Sequence, residues 1–181
     1  MHPAYPTPAL RVLGIDPGTH LTGYGCVELA GRQLHHISHG TIRLSVPGTE
    51  SPLEERLLGL YLELTDVIRK LKPHVLAVEK IFFAENAVSA LKLGHARGVV
   101  LLCSAQAGIP VFEHAATEVK LALTGFGRSD KAQVARMVSL LTGARDFATA
   151  DASDALALAV CHVYLSAGNR NATQRSISTT A

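Results

Sequence analysis

Short apolar runs alternate with longer segments of helical periodicity along most of the chain. Residues 11–16 form an apolar run that stops at a Pro-Gly pair, which predicts a buried strand with Asp16 at its end. Two further strand-like runs, residues 21–29 and 33–44, are separated by so short a connection that we expect an antiparallel hairpin. The first part of the chain is therefore predicted to be a meander of strands.

The rest of the chain alternates between helical and strand patterns. Leucine and isoleucine recur at helical spacing within residues 53–71, which predicts a long helix that ends before Pro73. The apolar run at residues 74–79 follows, and it is typical of a central parallel strand reached by a crossover. The remaining elements are predicted as a helix at 86–107, a short strand at 111–113, and helices at 117–123, 131–141 and 150–165.

This order of elements predicts an α/β fold in which a five-stranded mixed sheet is flanked by helices. A length of 181 residues fits one domain, which we place at residues 10–167. Residues 1–9 are rich in proline, and residues 168–181 are rich in serine, threonine and asparagine. Both ends are expected to be disordered tails.

The composition is that of an ordinary soluble protein, with 48% hydrophobic and 18% charged residues, and it excludes disorder of the whole chain. Cys26, Cys103 and Cys161 lie far apart in apolar sequence, which predicts buried free thiols in a reducing cytoplasm. The sequence shows no signal-peptide core, and basic residues interrupt the apolar helical stretches. We therefore expect neither secretion nor insertion into a membrane.

The net charge of +2 does not by itself indicate a nucleic-acid partner. Its distribution says more, because five basic residues stand against the single acid Asp130 between Lys120 and Arg145. This pattern indicates a locally basic surface, with scattered solvated charges as the alternative.

Four acidic residues indicate a metal site. Asp16 and Glu79 each end a predicted strand, and ligands of open α/β sheets bind outside the carboxyl ends of the strands. Asp151 and Asp154 are spaced i, i+3 at the start of a helix, so that they share one side of it. Oxygen ligands select Mg²⁺ or Mn²⁺, and two such ions can activate water for phosphodiester hydrolysis. Whether the two strands are neighbours is left open by the sequence.

Three of the four acids, taken alone, also have a simpler explanation. Asp16 before Pro-Gly favours a turn, and Asp151 and Asp154 behind a Thr149 cap complement the helix dipole. Glu79 is harder to explain in this way, because a charge that ends an apolar strand lies at or near the core, where an unpaired charge costs several kcal/mol. Repulsion within the set makes sense mainly if cations are present.

Several motifs of this chain occur in the same order and spacing in one known family. They are Gly-Ile-Asp-Pro-Gly-Thr at 14–19, Thr-Gly-Tyr-Gly at 22–25, Val-Glu-Lys-Ile-Phe-Phe at 78–83, Ser-Ala-Leu-Lys-Leu-Gly at 89–94 with Ala-Arg-Gly at 96–98, and Ala-Asp-Ala-Ser-Asp-Ala-Leu-Ala at 150–157. From about Arg11 to about Tyr164 the chain closely resembles the RuvC Holliday junction resolvases of bacteria.

The resemblance implies an RNase H-like fold and a homodimer that acts in DNA recombination and repair. It also implies an endonuclease that cuts two strands of like polarity in a four-way DNA junction, with two Mg²⁺ ions per subunit, Mn²⁺ being possible, and with the branch-migration proteins RuvA and RuvB as partners. The family's catalytic and metal-binding carboxylates fall on Asp16, Glu79, Asp151 and Asp154. Some relatives place a histidine at the position of Asp151.

The resemblance further implies a set of DNA contacts. Phe82 matches a position that stacks on a base at the crossover, and Lys120 and Lys131 match positions that meet phosphates near the cut bond. The weaker candidates are Lys80, Lys92, Arg97 and Arg128. The Gly-Phe-Gly sequence at 125–127 suggests a flexible loop over the substrate. The helix at 86–107 is apolar enough to bury a second face against a partner, with an internal core helix as the alternative.

Two other functions remain as alternatives. An ATPase of the actin-like or sugar-kinase-like kind also opens on a strand that ends in Gly-x-Asp-x-Gly-Thr, but such enzymes need two related domains and a second phosphate loop. A junction-binding protein that does not cut is the other alternative, although carboxylates near phosphates would weaken binding.

Overall fold

The computed structural model describes residues 9–45, 51–80 and 87–178, and of residues 87–89 and 168–178 it describes the backbone alone. The strands are β1 (Leu10–Asp16), β2 (Leu21–Ala30), β3 (Gln33–Arg43), β4 (Val75–Glu79) and β5 (Val111–His114). The helices are α1 (Leu53–Leu71), α2 (Ala87–Ala107), α3 (Ala116–Thr124), α4 (Lys131–Thr142) and α5 (Ala150–Ser178).

The strands form one mixed sheet in the order β3-β2-β1-β4-β5. β1, β2 and β3 pair antiparallel as the predicted meander, whereas β4 and β5 continue the sheet parallel to β1. β1 and β4 are direct neighbours, with Ile15 opposite Val78. The sequence left open whether these two strands are neighbours, and the structure shows that they are. Asp16 and Glu79 are the next residues after this pair, so both lie at the carboxyl ends of the two strands.

Side chains of alternate strand positions enter two separate cores, one on each face of the sheet. On one face, Val12 and Ala77 pack with Leu156 of α5. On the other face, Leu13 and Leu76 pack against α1 and α2. This arrangement confirms the predicted layers, because continuous apolar runs such as those of β1 and β4 belong to strands covered on both sides.

Helix α5 lies unusually close to the sheet because glycines of β1 and β2 face it. A Cβ atom at Gly14 would come within 1.9 Å of the carbonyl oxygen of Ala155, and one at Gly23 within 2.0 Å of that of Asp151. The absence of side chains at these positions lets the helix backbone rest directly on the strands. The first two turns of α5, with Asp151 and Asp154, are thereby brought down to the end of β1.

The observed elements begin and end within one residue of their predicted positions, with α5 as the exception. The prediction that this helix ends at residue 165 was wrong, since the backbone is helical to Ser178 and enters the segment expected to be a disordered tail. A segment poor in apolar residues lacks packing, but a helix already nucleated can propagate through residues that do not break it. No proline follows Leu165. The domain boundary itself remains a prediction.

The three cysteines are buried free thiols, as predicted. Among the residues that the structure describes, no helix is long and apolar enough to cross a membrane.

The close approach of α5 to β1 predicts the effect of adding one methyl group. Gly14→Ala should lower the free energy of unfolding by about 3 kcal/mol or more, because the new Cβ would collide with helix backbone that cannot move aside alone. Chemical denaturation measures this change. Gly59→Ala is the control, since its Cβ would meet only a side-chain methyl of Leu44 at 3.7 Å and should stabilise α1 by about 0.5–1 kcal/mol. Equal stability of the two variants would contradict the proposed packing.

Candidate active site

Acidic side chains from three elements line one pocket at the end of β1. They are Asp16 at the end of β1, Glu79 at the end of β4 and Asp154 in the second turn of α5. The helices α3 and α4 also line the pocket, and they contribute Lys120 and Lys131. The structure thus brings together three of the four predicted acids and the two lysines expected near phosphate.

The fourth predicted acid, Asp151, lies close by but does not line this pocket. The backbone N–H of Ala152 donates to Thr149 Oγ1 at 3.4 Å, so the predicted cap is present and Asp151 stands in the first turn. Its charge still acts on the site, because it is one of the groups that raise the pKa of Asp16.

Both burial and the neighbouring acids act on the Asp16 carboxyl group. Burial, and then the negative charges of Asp154, Glu79 and Asp151, raise the pKa of Asp16 to about 7. Partial burial and the charge of Asp154 also raise the pKa of Glu79. Glu79 is exposed at the rim of the core rather than inside it, so the expected desolvation cost is only partly present.

Lys131 supplies the positive charge that partly balances these acids. Its Nζ donates to Asp154 Oδ2 at 2.8 Å, and Asp154 in turn raises the pKa of Lys131. The same ammonium group opposes the rise in the pKa values of Asp16 and Glu79, because its positive charge lowers both. Lys131 begins α4, where the Asp130 carboxylate accepts from the N–H of Gln133 at 2.8 Å, so its position is set by a capped helix. The side chain itself is 80% exposed and can move.

The donor set fits a hard divalent cation better than any other ligand. It consists of carboxylate oxygens alone, which favour Mg²⁺ or Mn²⁺ over softer metals, and its mutual repulsion is relieved by positive charge. Within the described residues, no three histidine, cysteine, aspartate or glutamate side chains are near enough together to enclose an ion as they stand. Binding would therefore require the carboxylates to turn toward a common point.

Arg97 has a different environment from the one expected of a DNA contact. Its side chain is only 13% exposed and pairs with Glu113 Oε1 of β5 at 2.5 Å. Its Nη1 also donates to the carbonyl oxygen of Glu79 at 3.1 Å. The guanidinium group thus ties α2 and β5 to the end of β4, and it fixes the backbone that carries Glu79.

The remaining predicted DNA contacts are spread over the surface. Lys120 is half-buried in the pocket wall, whereas Lys80, Lys92 and Arg128 are exposed and do not line the pocket. Phe82 lies outside the described residues.

The α3–α4 loop, residues 125–130, is held by more hydrogen bonds than its glycines suggested. The backbone N–H of Phe126 donates to Thr124 Oγ1 at 3.2 Å. The carbonyl oxygen of Phe126 accepts from the backbone N–H of Ser129 at 3.3 Å and from its hydroxyl at 3.0 Å. The loop that the sequence suggested to be flexible is therefore a hydrogen-bonded turn.

Comparison with known proteins identifies the family. The model of the family described as crossover junction endodeoxyribonuclease RuvC matches residues 12–162. The chain is also 50% identical over 155 residues to a protein of that description from Syntrophotalea carbinolica, which covers 86% of this chain and 94% of the relative. The chain belongs to the RuvC family. A relative of the same description from Maricaulis maris is 48% identical over 157 residues, with 86% of this chain and 92% of the relative covered.

Solved structures agree with the sequence comparison. RuvC of Thermus thermophilus, in complex with a Holliday junction substrate, has a TM-score of 0.79 at 31% identity and covers 87% of this chain and 94% of its own. A yeast mitochondrial Holliday junction resolvase shares the fold, with a TM-score of 0.61 at 15% identity, and covers 89% of this chain and 80% of its own. The predicted RNase H-like fold is confirmed, and the chain is a crossover junction endodeoxyribonuclease by family.

The structure also reveals a buried histidine pair that the sequence did not indicate. His114 is the register partner of Glu79 across β4 and β5, and its Nε2 lies 3.0 Å from Nδ1 of His162 on α5. Burial lowers the pKa of His114. Histidines far apart in sequence carry no pattern that would announce such a pair, because only the packing of α5 on β5 brings them together.

The raised pKa of Asp16 predicts a pH-dependent cost to stability in the metal-free protein. The stability associated with neutral Asp16 is fully present below about pH 4 and is lost as the pH rises through about 7. Asp16→Asn should therefore be more stable than the unchanged protein by up to about 4 kcal/mol at pH 8, with a much smaller difference near pH 4.

Chemical denaturation in EDTA across this pH range measures the difference. Asp146→Asn is the matched control, because Asp146 is an exposed loop residue at φ 59°, a conformation that asparagine tolerates. It should change the free energy of unfolding by less than about 0.5 kcal/mol at each pH. A constant difference between Asp16→Asn and the unchanged protein would show that the acids do not interact as described.

Proposed function

We propose that this chain resolves four-way DNA junctions by metal-dependent hydrolysis that leaves paired nicks in strands of like polarity. The observation that carries the proposal is the convergence of Asp16, Glu79 and Asp154, with Asp151 nearby, at a pocket that also contains Lys120 and Lys131. An acidic cluster rimmed by lysines can hold divalent cations against a phosphate. The relatives' description as crossover junction endodeoxyribonucleases and the junction bound to the Thermus protein support the choice of substrate.

Asp16, Glu79 and Asp154 would hold Mg²⁺, with Asp151 as the fourth ligand, and two ions per subunit or Mn²⁺ are compatible with carboxylate donors. When bound, such ions supply an activated water and charge stabilisation at the phosphodiester. A carboxylate beside a divalent cation is ionised, so the raised pKa of Asp16 would fall when the site is loaded. Arg97 would keep Glu79 in place through its backbone while this happens.

Lys131 connects the acidic pocket with the DNA backbone. In this structure its ammonium group is paired with Asp154, which leaves it at the mouth of the pocket. If Asp154 held a cation, the exposed Lys131 side chain would be free to turn toward a phosphate oxygen. Lys120 would add a second contact from the pocket wall, and both contacts would position the strand and weaken with salt.

A homodimer explains why nicks come in pairs. Helix α2 buries Ala96, Val100 and Cys103 inside the subunit but leaves Leu91 and Leu102 exposed on its other side. A second copy that covers this side would present two equal sites to the two equivalent strands of a junction. Stacking of Phe82 on a crossover base, RuvA and RuvB as partners, and a cytoplasmic location remain part of the proposal.

The decisive assay offers the protein a four-way junction and a linear duplex at equal salt, with Mg²⁺ or with EDTA. The unchanged protein should nick only the junction, and only with metal. Asp16→Asn should lose cleavage by several orders of magnitude and still bind the junction, because it removes a ligand without adding charge repulsion to DNA. Asp146→Asn should cut normally, since this residue does not line the pocket.

Three results would refute the proposal. Full cleavage by Asp16→Asn in Mg²⁺ would exclude the carboxylate mechanism. Turnover of ATP without junction cleavage would instead favour the ATPase alternative, and junction binding without cleavage by the unchanged protein would favour a binding protein.

Dimers that contain one Asp16→Asn subunit test the symmetry of the reaction. Each mixed dimer should make a single nick per junction, because each subunit cuts its own strand. Gel analysis of nicked and fully resolved junction DNA measures the ratio. If mixed dimers resolve junctions as completely as unchanged dimers, the two sites do not act on separate strands.

A further inference from the structure

Phe126 is the most exposed of the large hydrophobic side chains in the described part of the chain, at 74%. An isolated exposed apolar residue needs no special explanation. Phe126 differs because it occupies the α3–α4 loop, which connects two helices that both line the acidic pocket. The exposed aromatic ring therefore lies on the connection between Lys120 and Lys131, the two lysines of the pocket where DNA is proposed to bind.

The backbone of the loop is built to hold this ring outward. Gly125 ends α3 in the left-handed conformation, at φ 78°, and its N–H donates to the carbonyl oxygen of Leu121 at 2.9 Å. Both backbone polar groups of Phe126 are bound by Thr124 and Ser129, and the Ser129 side chain is buried. A ring fixed at its backbone loses little conformational freedom when it binds, which favours it as a contact.

The charges around Phe126 select the kind of partner. Arg128 follows it in the loop, while Lys120 and Lys131 flank the loop on α3 and α4. The one acid in this segment, Asp130, is occupied as the N-cap of α4. An exposed aromatic ring among cations matches single-stranded or unstacked nucleic acid, in which the ring stacks on a base and the cations meet phosphates.

We propose that Phe126 stacks on a nucleobase that is unpaired or unstacked near the cut strand. This inference rests on the proposed function, because it adds a base contact to the same site. It makes the α3–α4 loop part of the substrate interface, and it gives the loop a role in holding the strand that enters the acidic pocket.

Tryptophan provides a direct test, because the chain contains none. Phe126→Trp in the Asp16→Asn background places a single reporter at the loop, and its fluorescence should be quenched when a four-way junction binds in Mg²⁺. Leu140→Trp is the matched control, since Leu140 is an equally exposed apolar residue, at 72%, on α4. Its emission should not change.

Binding affinity provides the second measurement, again in the Asp16→Asn background at fixed salt. Phe126→Ala and Phe126→Leu should weaken junction binding by about 5- to 150-fold, whereas Phe126→Trp should bind as tightly as phenylalanine. Leu140→Ala should have no effect. Recovery by an aromatic residue but not by leucine separates stacking from simple apolar contact.

Three outcomes would overturn the inference. They are unchanged affinity in Phe126→Ala, weakened affinity without quenching of Phe126→Trp, and full recovery by leucine. If the otherwise unchanged protein cuts junctions while any of these holds, only the role of Phe126 fails. If it neither binds nor cuts junctions, the proposed function fails with it.

Discussion

Contact between the first turns of α5 and the strands β1 and β2, at the end of β1 and the start of β2, sets the electrostatics of the whole site. Gly14 and Gly23 let the helix backbone lie directly on the strands. The acids of the first two turns of α5 then lie close enough to Asp16 for their negative charges, with that of Glu79, to raise its pKa. The cost of burying Asp16 among other acids appears in its raised pKa, to which burial contributes most and the neighbouring charges add. A fold that needed only stability would separate these groups, so the packing makes physical sense when cations complete it.

Two basic residues act on this cluster in different ways. Lys131 approaches from α4 and neutralises part of the charge through Asp154, with an exposed side chain that can leave. Arg97 is largely covered, and it holds the backbone of Glu79 through a hydrogen bond to the carbonyl oxygen and through its pair with Glu113. One cation is thus suited to exchange with a metal ion or a phosphate, and the other keeps the strand end in position.

The surface around the pocket divides into regions of different chemistry. The α3–α4 loop presents an aromatic ring among cations, which fits DNA. The outer side of α2 presents leucines, which fits a second subunit. Both regions are connected to the pocket by rigid elements, α3 and α4 in the first case and the Arg97 link from α2 in the second.

The periodicity of apolar residues along the sequence was enough to predict the strands and helices, because apolar runs and helical spacing are local properties. The acids Asp16 and Glu79 were identifiable for the same reason, since each ends a run that reads as a strand. Helix α5 was predicted too short, because composition reports the loss of packing but not how far a packed helix propagates.

Only the tertiary structure decided that β1 and β4 are neighbours and that Asp154 reaches the pocket while Asp151 stands outside its lining. It also decided that Arg97 faces Glu113 and that His114 meets His162. These facts depend on contacts between residues far apart in the chain, which no local pattern encodes. The sequence determined which groups exist, and the close packing of α5 on the glycines of the sheet decided which of them interact.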